Sequence, residues 1–261
     1  MNKQIQAFTL AEILITIGII GVVSAMTLPL LVQNYKKQEY VNRLKQGLSI
    51  LNNTSRLIMT EDEVSNFQDT SFYIDAFNSI PVKGGSRLEL DQTSDNFNKF
   101  MLNRLNKYIR FSTYRCNGDK DSYCLKKNLN ILSQDTYYPK NTTLIMLNNG
   151  MSYYLTYIYI DYSNNTSRQP NSACGYAIVD VNGITLPNQL GKDKYIFWMG
   201  CDGSWYPQYG ATYARWIAGD NNWITSNNYW KNLASVCSVK VQSTGEGCAA
   251  KIIEEGWKIN Y

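Results

Sequence analysis

The stretch that decides the fold is Ala7-Phe8-Thr9-Leu10-Ala11-Glu12, which runs directly into about twenty uncharged and mostly apolar residues, 13–32. A run of this length is sufficient to cross the hydrocarbon core of a bilayer as a helix. A carboxylate in such a span is costly to insert and tends to be functional. Glu12 lies at the N-terminal end of the run, after a short leader whose one charged side chain is Lys3. The pattern therefore predicts an N-terminal membrane helix that begins with a functional glutamate.

Two commoner explanations of an apolar N-terminus fit less well. A secretory signal has an apolar stretch of about 7–15 residues, followed by a small-residue cleavage site. Here the apolar run is longer, and Ser24-Ala25-Met26 is a poor signal-peptidase cleavage site. An uncleaved single-span anchor explains the length of the run, but it does not explain the box that precedes it.

The Phe8-Thr9-Leu10-Ala11-Glu12 box resembles the class III signal of the type IV prepilin and pseudopilin superfamily. The resemblance implies that a prepilin peptidase cleaves between Ala7 and Phe8 and methylates Phe8, the new N-terminus. The family usually has Gly before the cut, and Ala7 is its nearest small substitute, so we expect slower processing.

The same resemblance implies an assembly role for Glu12. In the filament, Glu12 of one subunit would neutralise the cationic Phe8 amine of its neighbour, because each charge alone in an apolar setting is costly. The competing interpretation is a glutamate that snorkels to the lipid headgroups.

The apolar spacing after the membrane run predicts that the helix continues. Apolar residues recur three or four positions apart, as one face of an amphipathic helix does; they are Val41, Leu44, Leu48, Leu51 and Ile58. Pro29 removes one helical hydrogen bond and predicts a kink or local melting. We therefore predict a leader over 1–7, a stem helix over 8–59 and an exported globular head over 60–261.

The head is predicted to be α+β with an antiparallel sheet, which is the usual partner of a pilin stem. Residues 60–92 are interpreted as a connecting region and 95–110 as a helix capped by Asp95. A period of two predicts strands over Thr143–Leu147, Ser152–Ile160, 176–181 and 195–199, with a hairpin at Asn148-Asn149-Gly150. The segment 204–228 is interpreted as irregular. Residues 248–253 are expected to lead into a short last element at Gly256-Trp257-Lys258-Ile259.

The six cysteines predict disulfides. They are Cys116, Cys124, Cys174, Cys201, Cys237 and Cys248. An even count behind an export signal fits an oxidising compartment, and the absence of any C-x-x-C pair disfavours bound metal. We predict the local pairs Cys116–Cys124 and Cys237–Cys248, which leaves Cys174–Cys201.

The segment 180–193 is rich in turn residues and side-chain oxygens, with Asp180, Asn182, Gly183, Asn188 and Asp193. It looks like a block found in many prepilin-type heads, and the major pseudopilins carry calcium in a late loop. The spacing does not match an EF-hand. Turn chemistry is the simpler interpretation, so no cofactor is predicted and calcium remains an alternative.

A second cluster of interest is aromatic. It comprises Trp198, Trp205, Tyr206, Tyr209, Tyr213, Trp216, Trp223, Tyr229 and Trp230. Such rings can stack on sugars or single-stranded bases, but packing within a disulfide-stapled head is the expectation.

The composition excludes several functions. The chain has no histidine, which excludes Ser-His-Asp and Cys-His catalysis and His-ligated zinc. A net charge of +4 is too modest to indicate a nucleic-acid binder. No catalytic residue is predicted.

The sequence thus predicts a filament subunit of a type IV pilus or a type II secretion pseudopilus, of a minor or specialised kind. The resemblance implies other subunits, a prepilin peptidase, an assembly ATPase and an inner-membrane platform as partners. It places the N-terminus in the cytoplasm, one span in the bacterial inner membrane, and the head in the periplasm or outside the cell. A minor pilin that binds DNA or a host surface is one alternative, and a membrane-anchored exported enzyme is another.

Overall fold

The computed structural model describes residues 9–83, 87–91, 94–115, 143–160, 173–185, 188–209, 236–238 and 245–261. The chain divides into two units, residues 1–39 and residues 40–261. Helix α1, Leu10–Glu61, begins in the first unit and ends in the second.

In the first unit, α1 is uncharged and mostly apolar around its whole circumference over residues 13–32. Every side chain from 9 to 38 is exposed, including the large apolar ones. Among the described residues, α1 is the one helix long and apolar enough to cross a membrane. The helix continues without a break through Pro29, so the prediction of local melting there is wrong. Proline removes one backbone hydrogen bond from a helix. In α1 the helical turns before and after Pro29 remain formed despite this loss.

In the second unit, α1 buries one face. From Val41 to Ile58 the buried residues are three or four apart, as predicted, and Met59 is buried beside them: Val41, Leu44, Gly47, Leu51, Ser55, Ile58 and Met59. Ser55 is the polar exception, and its hydroxyl donates to the Leu51 carbonyl (3.2 Å) and accepts from Trp205 Nε1 (2.8 Å). The buried face of this half is thus both apolar and hydrogen-bonded to the rest of the head.

The segment 60–92 was predicted to be a connection, and this is wrong. It holds a 3₁₀ turn, Phe67–Asp69, helix α2, Ser71–Ser79, and two short strands, β1, Val82–Lys83, and β2, Arg87–Leu90. Thr70 caps α2, because its hydroxyl accepts from the Tyr73 amide at 3.1 Å. Burial of Phe72, Tyr73 and Ala76 then stabilises the helix against the core.

The helix predicted over 95–110 is shorter than expected. Helix α3 spans Asp95–Asn103, and a 3₁₀ turn follows at Leu105–Lys107. The cap is Ser94 rather than Asp95, since the Ser94 hydroxyl accepts from the Phe97 amide at 3.1 Å. The α-helix ends at residue 103, while Leu105 remains buried through the tighter turn.

The remaining described strands form the antiparallel sheet that was predicted. They are β3, Phe111–Arg115, β4, Thr143–Leu147, β5, Ser152–Ile160, β6, Ala173–Asp180, β7, Lys194–Gly200, and β8, Trp205–Pro207. Neighbours along the chain pair from β3 to β8, and the β1–β2 hairpin joins the far end of β5. β3 was not predicted, and β8 lies in a segment that was predicted to be irregular.

The hairpin between β4 and β5 is formed as predicted. Gly150 has a φ of +82°, a conformation that favours glycine, and its amide donates to the Leu147 carbonyl at 3.0 Å. A short final helix, α4, spans Cys248–Glu254.

The core lies between one face of the sheet and the helices. That face contributes alternate residues of the central strands, Tyr153, Leu155, Ala177, Val179, Phe197 and Met199, all in one buried apolar cluster with α1, α2, α3 and α4. The opposite face carries a smaller cluster that includes Tyr154, Tyr176 and Ile178. The strict alternation is what an antiparallel sheet with a different layer on each face requires.

Two of the three predicted disulfides are confirmed. Cys174–Cys201 joins β6 to the turn after β7, with the Cα atoms 5.0 Å apart. Cys237–Cys248 ties the start of α4 to the preceding segment, with the Cα atoms 4.9 Å apart. Cys116 and Cys124 lie outside the described residues.

Candidate functional site

The start of α1 is a capping box. Leu10 is the first helical residue, which makes Thr9 the N-cap and Glu12 the third helical position. Glu12 Oε2 accepts from the Thr9 amide and from the Thr9 hydroxyl, each at 2.8 Å. The Glu12 amide in turn donates to Thr9 Oγ1 at 3.3 Å. This reciprocal arrangement satisfies backbone donors that the first turn of a helix otherwise leaves unpaired.

The capping box uses one of the two Glu12 carboxylate oxygens. In the part of the chain that the structure describes, all hydrogen bonds to this carboxylate reach Oε2. Glu12 is exposed, so Oε1 is open to a partner from outside the chain. Ala7 and Phe8, the predicted cleavage and methylation positions, lie outside the described residues.

Thr9 is the residue that sequence reasoning missed. The sequence does predict this role. A helix N-terminus is indicated where Thr is followed three positions later by Glu, directly before an apolar run. The same four residues therefore serve the start of the helix and the signal-like box.

The first unit exposes a continuous apolar surface. Large apolar side chains from 10 to 32 are 45–76% exposed, for example Leu10, Leu14, Ile20 and Met26. Soluble monomers rarely expose apolar surface on this scale, and a patch of this kind marks a membrane or protein contact. This surface is thus suited to burial in lipid or against other chains.

The segment 180–194 shows the turn chemistry that was one of its two interpretations. The Asn182 amide donates to Asp180 Oδ1 at 3.2 Å, and Gly183 and Gly191 have positive φ. The Asp193 carboxylate accepts from the amides of Asn188 (2.8 Å) and Gln189 (2.6 Å). Both carboxylates therefore support the backbone of the loop.

A buried lysine completes this loop. Lys194 Nζ lies 3.6 Å from Asp180 Oδ2, and the side chains of the pair are 3% and 8% exposed. Burial raises the pKa of Asp180 and lowers the pKa of Lys194, because desolvation disfavours the charged form of each. Burial likewise raises the pKa of Asp193. Sequence reasoning brought the two aspartates together but missed the lysine, since lysine is almost never fully buried.

The contacts of this segment favour turn chemistry over a calcium site. Within the described residues, no group of three or more His, Cys, Asp or Glu side chains is arranged to hold a metal ion. The oxygens of Asp180 and Asp193 contact protein donors instead.

The described members of the aromatic cluster pack within the head. Trp205 is buried, and its ring nitrogen donates to Ser55 Oγ in α1. Trp198 Nε1 donates to Gln208 Oε1 at 3.2 Å, and the Tyr206 hydroxyl donates to Asp202 at 2.9 Å. Tyr213, Trp216, Trp223, Tyr229 and Trp230 lie outside the described residues.

An open groove of about 600 Å³ lies between α2 and α3. Its lining includes Asp75, Ser79, Asn96, Lys99 and Arg104. Arg104 and Asp75 form an ion pair across it at 3.0 Å, with both side chains near half exposed. Exposed pairs of this kind contribute little to stability, and the groove presents mixed charge.

No protein-family model, curated protein or solved structure matches this chain.

Proposed function

We propose that this protein is a filament subunit of a type IV pilus or a type II secretion pseudopilus. The observation that carries the proposal is the Phe8-to-Glu12 box at the start of a helix whose first half exposes apolar side chains on all sides. The subunit is inserted in the bacterial inner membrane by residues 13–32, with the head exported. Cleavage before Phe8 and methylation of Phe8 precede assembly.

The contacts of α1 support a role in assembly rather than simple anchoring. A lipid anchor requires an apolar surface, but it does not require a carboxylate at the start of the apolar run. In a filament, the apolar surface of one subunit packs against that of the next, and Glu12 Oε1 accepts from the neighbour's Phe8 amine. Pairing offsets the cost of burying each charge.

The mature N-terminus tests the first step of this proposal. We expect protein from the native host to begin with N-methylated Phe8, as read by N-terminal sequencing and mass spectrometry. An N-terminus at Met1, or one beyond Ala25, contradicts the proposal. Ala7→Gly is the matched variant, since it restores the family's residue, and we expect it to shorten the lifetime of the uncleaved precursor in a pulse-chase experiment.

A further inference from the structure

Asp180 and Lys194 are directly opposite each other in the sheet. Asp180 ends β6, Lys194 begins β7, and the two are Cα partners in the antiparallel pair. Opposed residues in such a pair point to the same face of the sheet. Here the amine and the carboxyl meet at 3.6 Å in a site that leaves the two residues only 2% and 5% exposed.

The Asp180 carboxyl group is held by two donors, one on each oxygen. The Asn182 amide donates to Oδ1 at 3.2 Å. With the Asn188 amide oriented so that its nitrogen donates, Asn188 Nδ2 lies 3.0 Å from Asp180 Oδ2 and 3.0 Å from the Gly183 carbonyl. Preorganised donors of this kind stabilise negative charge that develops on a carbonyl oxygen when a nucleophile adds to its carbon.

The site also favours the uncharged forms that amide formation requires. A lysine amine is a nucleophile only without its proton, and burial of the amine favours that form. Burial favours the protonated form of Asp180 and outweighs the opposing attraction of a charged Lys194, which is absent once the amine has lost its proton. The fold holds the two groups together permanently, which replaces a bimolecular encounter by an intramolecular one.

We propose that Lys194 and Asp180 form an intramolecular amide bond that covalently joins β6 to β7. Lys194 Nζ adds to Asp180 Cγ, and the Asn182 amide stabilises the oxyanion that forms on Oδ1, while Oδ2, held by Asn188, becomes the departing hydroxyl. The new Nζ–Cγ bond forms as one Cγ–O bond breaks. The departing hydroxyl takes one hydrogen from Nζ and leaves as water, so no oxidant, reductant or cofactor is needed.

Tryptic mapping of the full chain, after denaturation and reduction, tests this directly. Trypsin cannot cleave after an acylated lysine, so we expect the peptide 169–192, which contains Asp180, to be joined to the peptide 193–215 through Lys194. The mass of the joined species should equal the sum of the two peptides less one water molecule. Recovery of peptides cleaved after Lys194, with no joined species, overturns the proposal.

Two conservative variants separate this bond from an ordinary ion pair. Lys194→Arg keeps the positive charge but cannot form the amide, so the joined species should disappear. Lys192→Arg changes an exposed lysine two positions away and should leave it intact. A joined species lighter by ammonia instead of water overturns the assignment of Asp180, since it would identify an asparagine or glutamine of the peptide 169–192 as the acyl donor. The readout does not involve the N-terminus, so it stands or fails independently of the filament proposal.

Discussion

At Glu12, one carboxylate serves the start of the helix and, in the proposed filament, the contact with the next subunit. The two tasks use different oxygens, because Oε2 accepts both Thr9 donors while Oε1 accepts no hydrogen bond from the described residues. Glutamine can replace glutamate in a capping box, whereas only glutamate carries the charge. The two tasks can therefore be separated by substitution.

We predict that Glu12→Ala leaves membrane insertion and leader cleavage intact but sharply reduces incorporation into filaments. The neighbour's Phe8 amine would be buried without its partner, and breaking a buried pair costs about 3–5 kcal/mol. Glu12→Gln should be milder, since it keeps the cap and can accept from the ammonium group. Thr9→Ala should affect mainly the cap, at a cost of about 1 kcal/mol. The measurement is the sheared filament fraction at equal membrane levels; if Glu12→Ala assembles like the wild type, the assembly role is wrong.

Gly47 shows a second residue-scale constraint, the close approach of α1 to the sheet. A Cβ atom at this position would lie 2.8 Å from Met151 Cε and 2.8 Å from Val179 Cγ1. The Met151 methyl group can move, but Val179 is fully buried, and its branched side chain is stiff. Glycine is thus required by packing, although it is a poor helix former.

We predict that Gly47→Ala destabilises the head. Alanine improves helix propensity by about 1 kcal/mol, but overpacking a core costs about 1–3 kcal/mol, so the steric cost should exceed the gain. The control is Gly18→Ala, because nothing lies within 4 Å of a Cβ at Gly18. Urea unfolding in detergent should show a lower midpoint for Gly47→Ala alone. An unchanged or higher midpoint would mean that the Val179 side chain can move to accommodate the added methyl group.

At the scale of elements, the two described disulfides close loops of different length. Cys174–Cys201 spans 27 positions and Cys237–Cys248 spans 11. In the chain-entropy description, the longer loop gains more from closure, here by about 1 kcal/mol. The bond between β6 and the turn after β7 is therefore expected to contribute more to stability than the bond at α4.

We predict that the double Ser variant of Cys174 and Cys201 loses about 2–5 kcal/mol of unfolding free energy. The double Ser variant of Cys237 and Cys248 should lose less, because its loop is shorter. Urea denaturation of both variants under non-reducing conditions gives the comparison. A larger loss for the Cys237–Cys248 variant would show that tethering of α4 outweighs loop length.

The sheet was more predictable than the segment before it. Thr143–Leu147 and Ser152–Ile160 were predicted to the residue, since an Asn-Asn-Gly turn lies between two runs of β-favouring residues. α2 was missed because the acidic residues before it and the Pro and Gly residues after it made 60–92 look like a connection. The capping role of Thr70 depends on burial of Phe72 and Tyr73, which only the tertiary structure supplies.

At the scale of the whole molecule, the candidate sites also differ in whether the sequence alone could predict them. Glu12 and the described disulfides were predicted, because an apolar run and a cysteine count are visible in sequence. Lys194 was not, since its burial depends on the register of β6 against β7, which places it opposite Asp180. Long-range pairing of this kind leaves no local pattern.

Burial of tyrosines connects the core to the pH dependence of the whole head. Burial raises the pKa of Tyr153, Tyr195 and Tyr261 above the ordinary value. The folded state therefore keeps these phenol protons at pH values where the unfolded chain releases them. Because the folded state then binds more protons than the unfolded state, the unfolding free energy falls as pH rises above about 10.

We predict that the free energy of unfolding decreases above about pH 10 by roughly 1.4 kcal/mol per pH unit for each tyrosine that stays protonated. Tyr153→Phe should reduce this slope by the contribution of one tyrosine, about 1.4 kcal/mol per pH unit. It should also lower stability at neutral pH by about 1 kcal/mol, because the Tyr153 hydroxyl donates to the Gly47 carbonyl at 3.3 Å. Urea titrations of the full chain in detergent, at a series of pH values, measure both effects. Tyr35→Phe, at an exposed position, is the control and should leave the slope unchanged. An unchanged slope for Tyr153→Phe would show that the buried phenol ionises without unfolding, which would contradict its place in the core beneath α1.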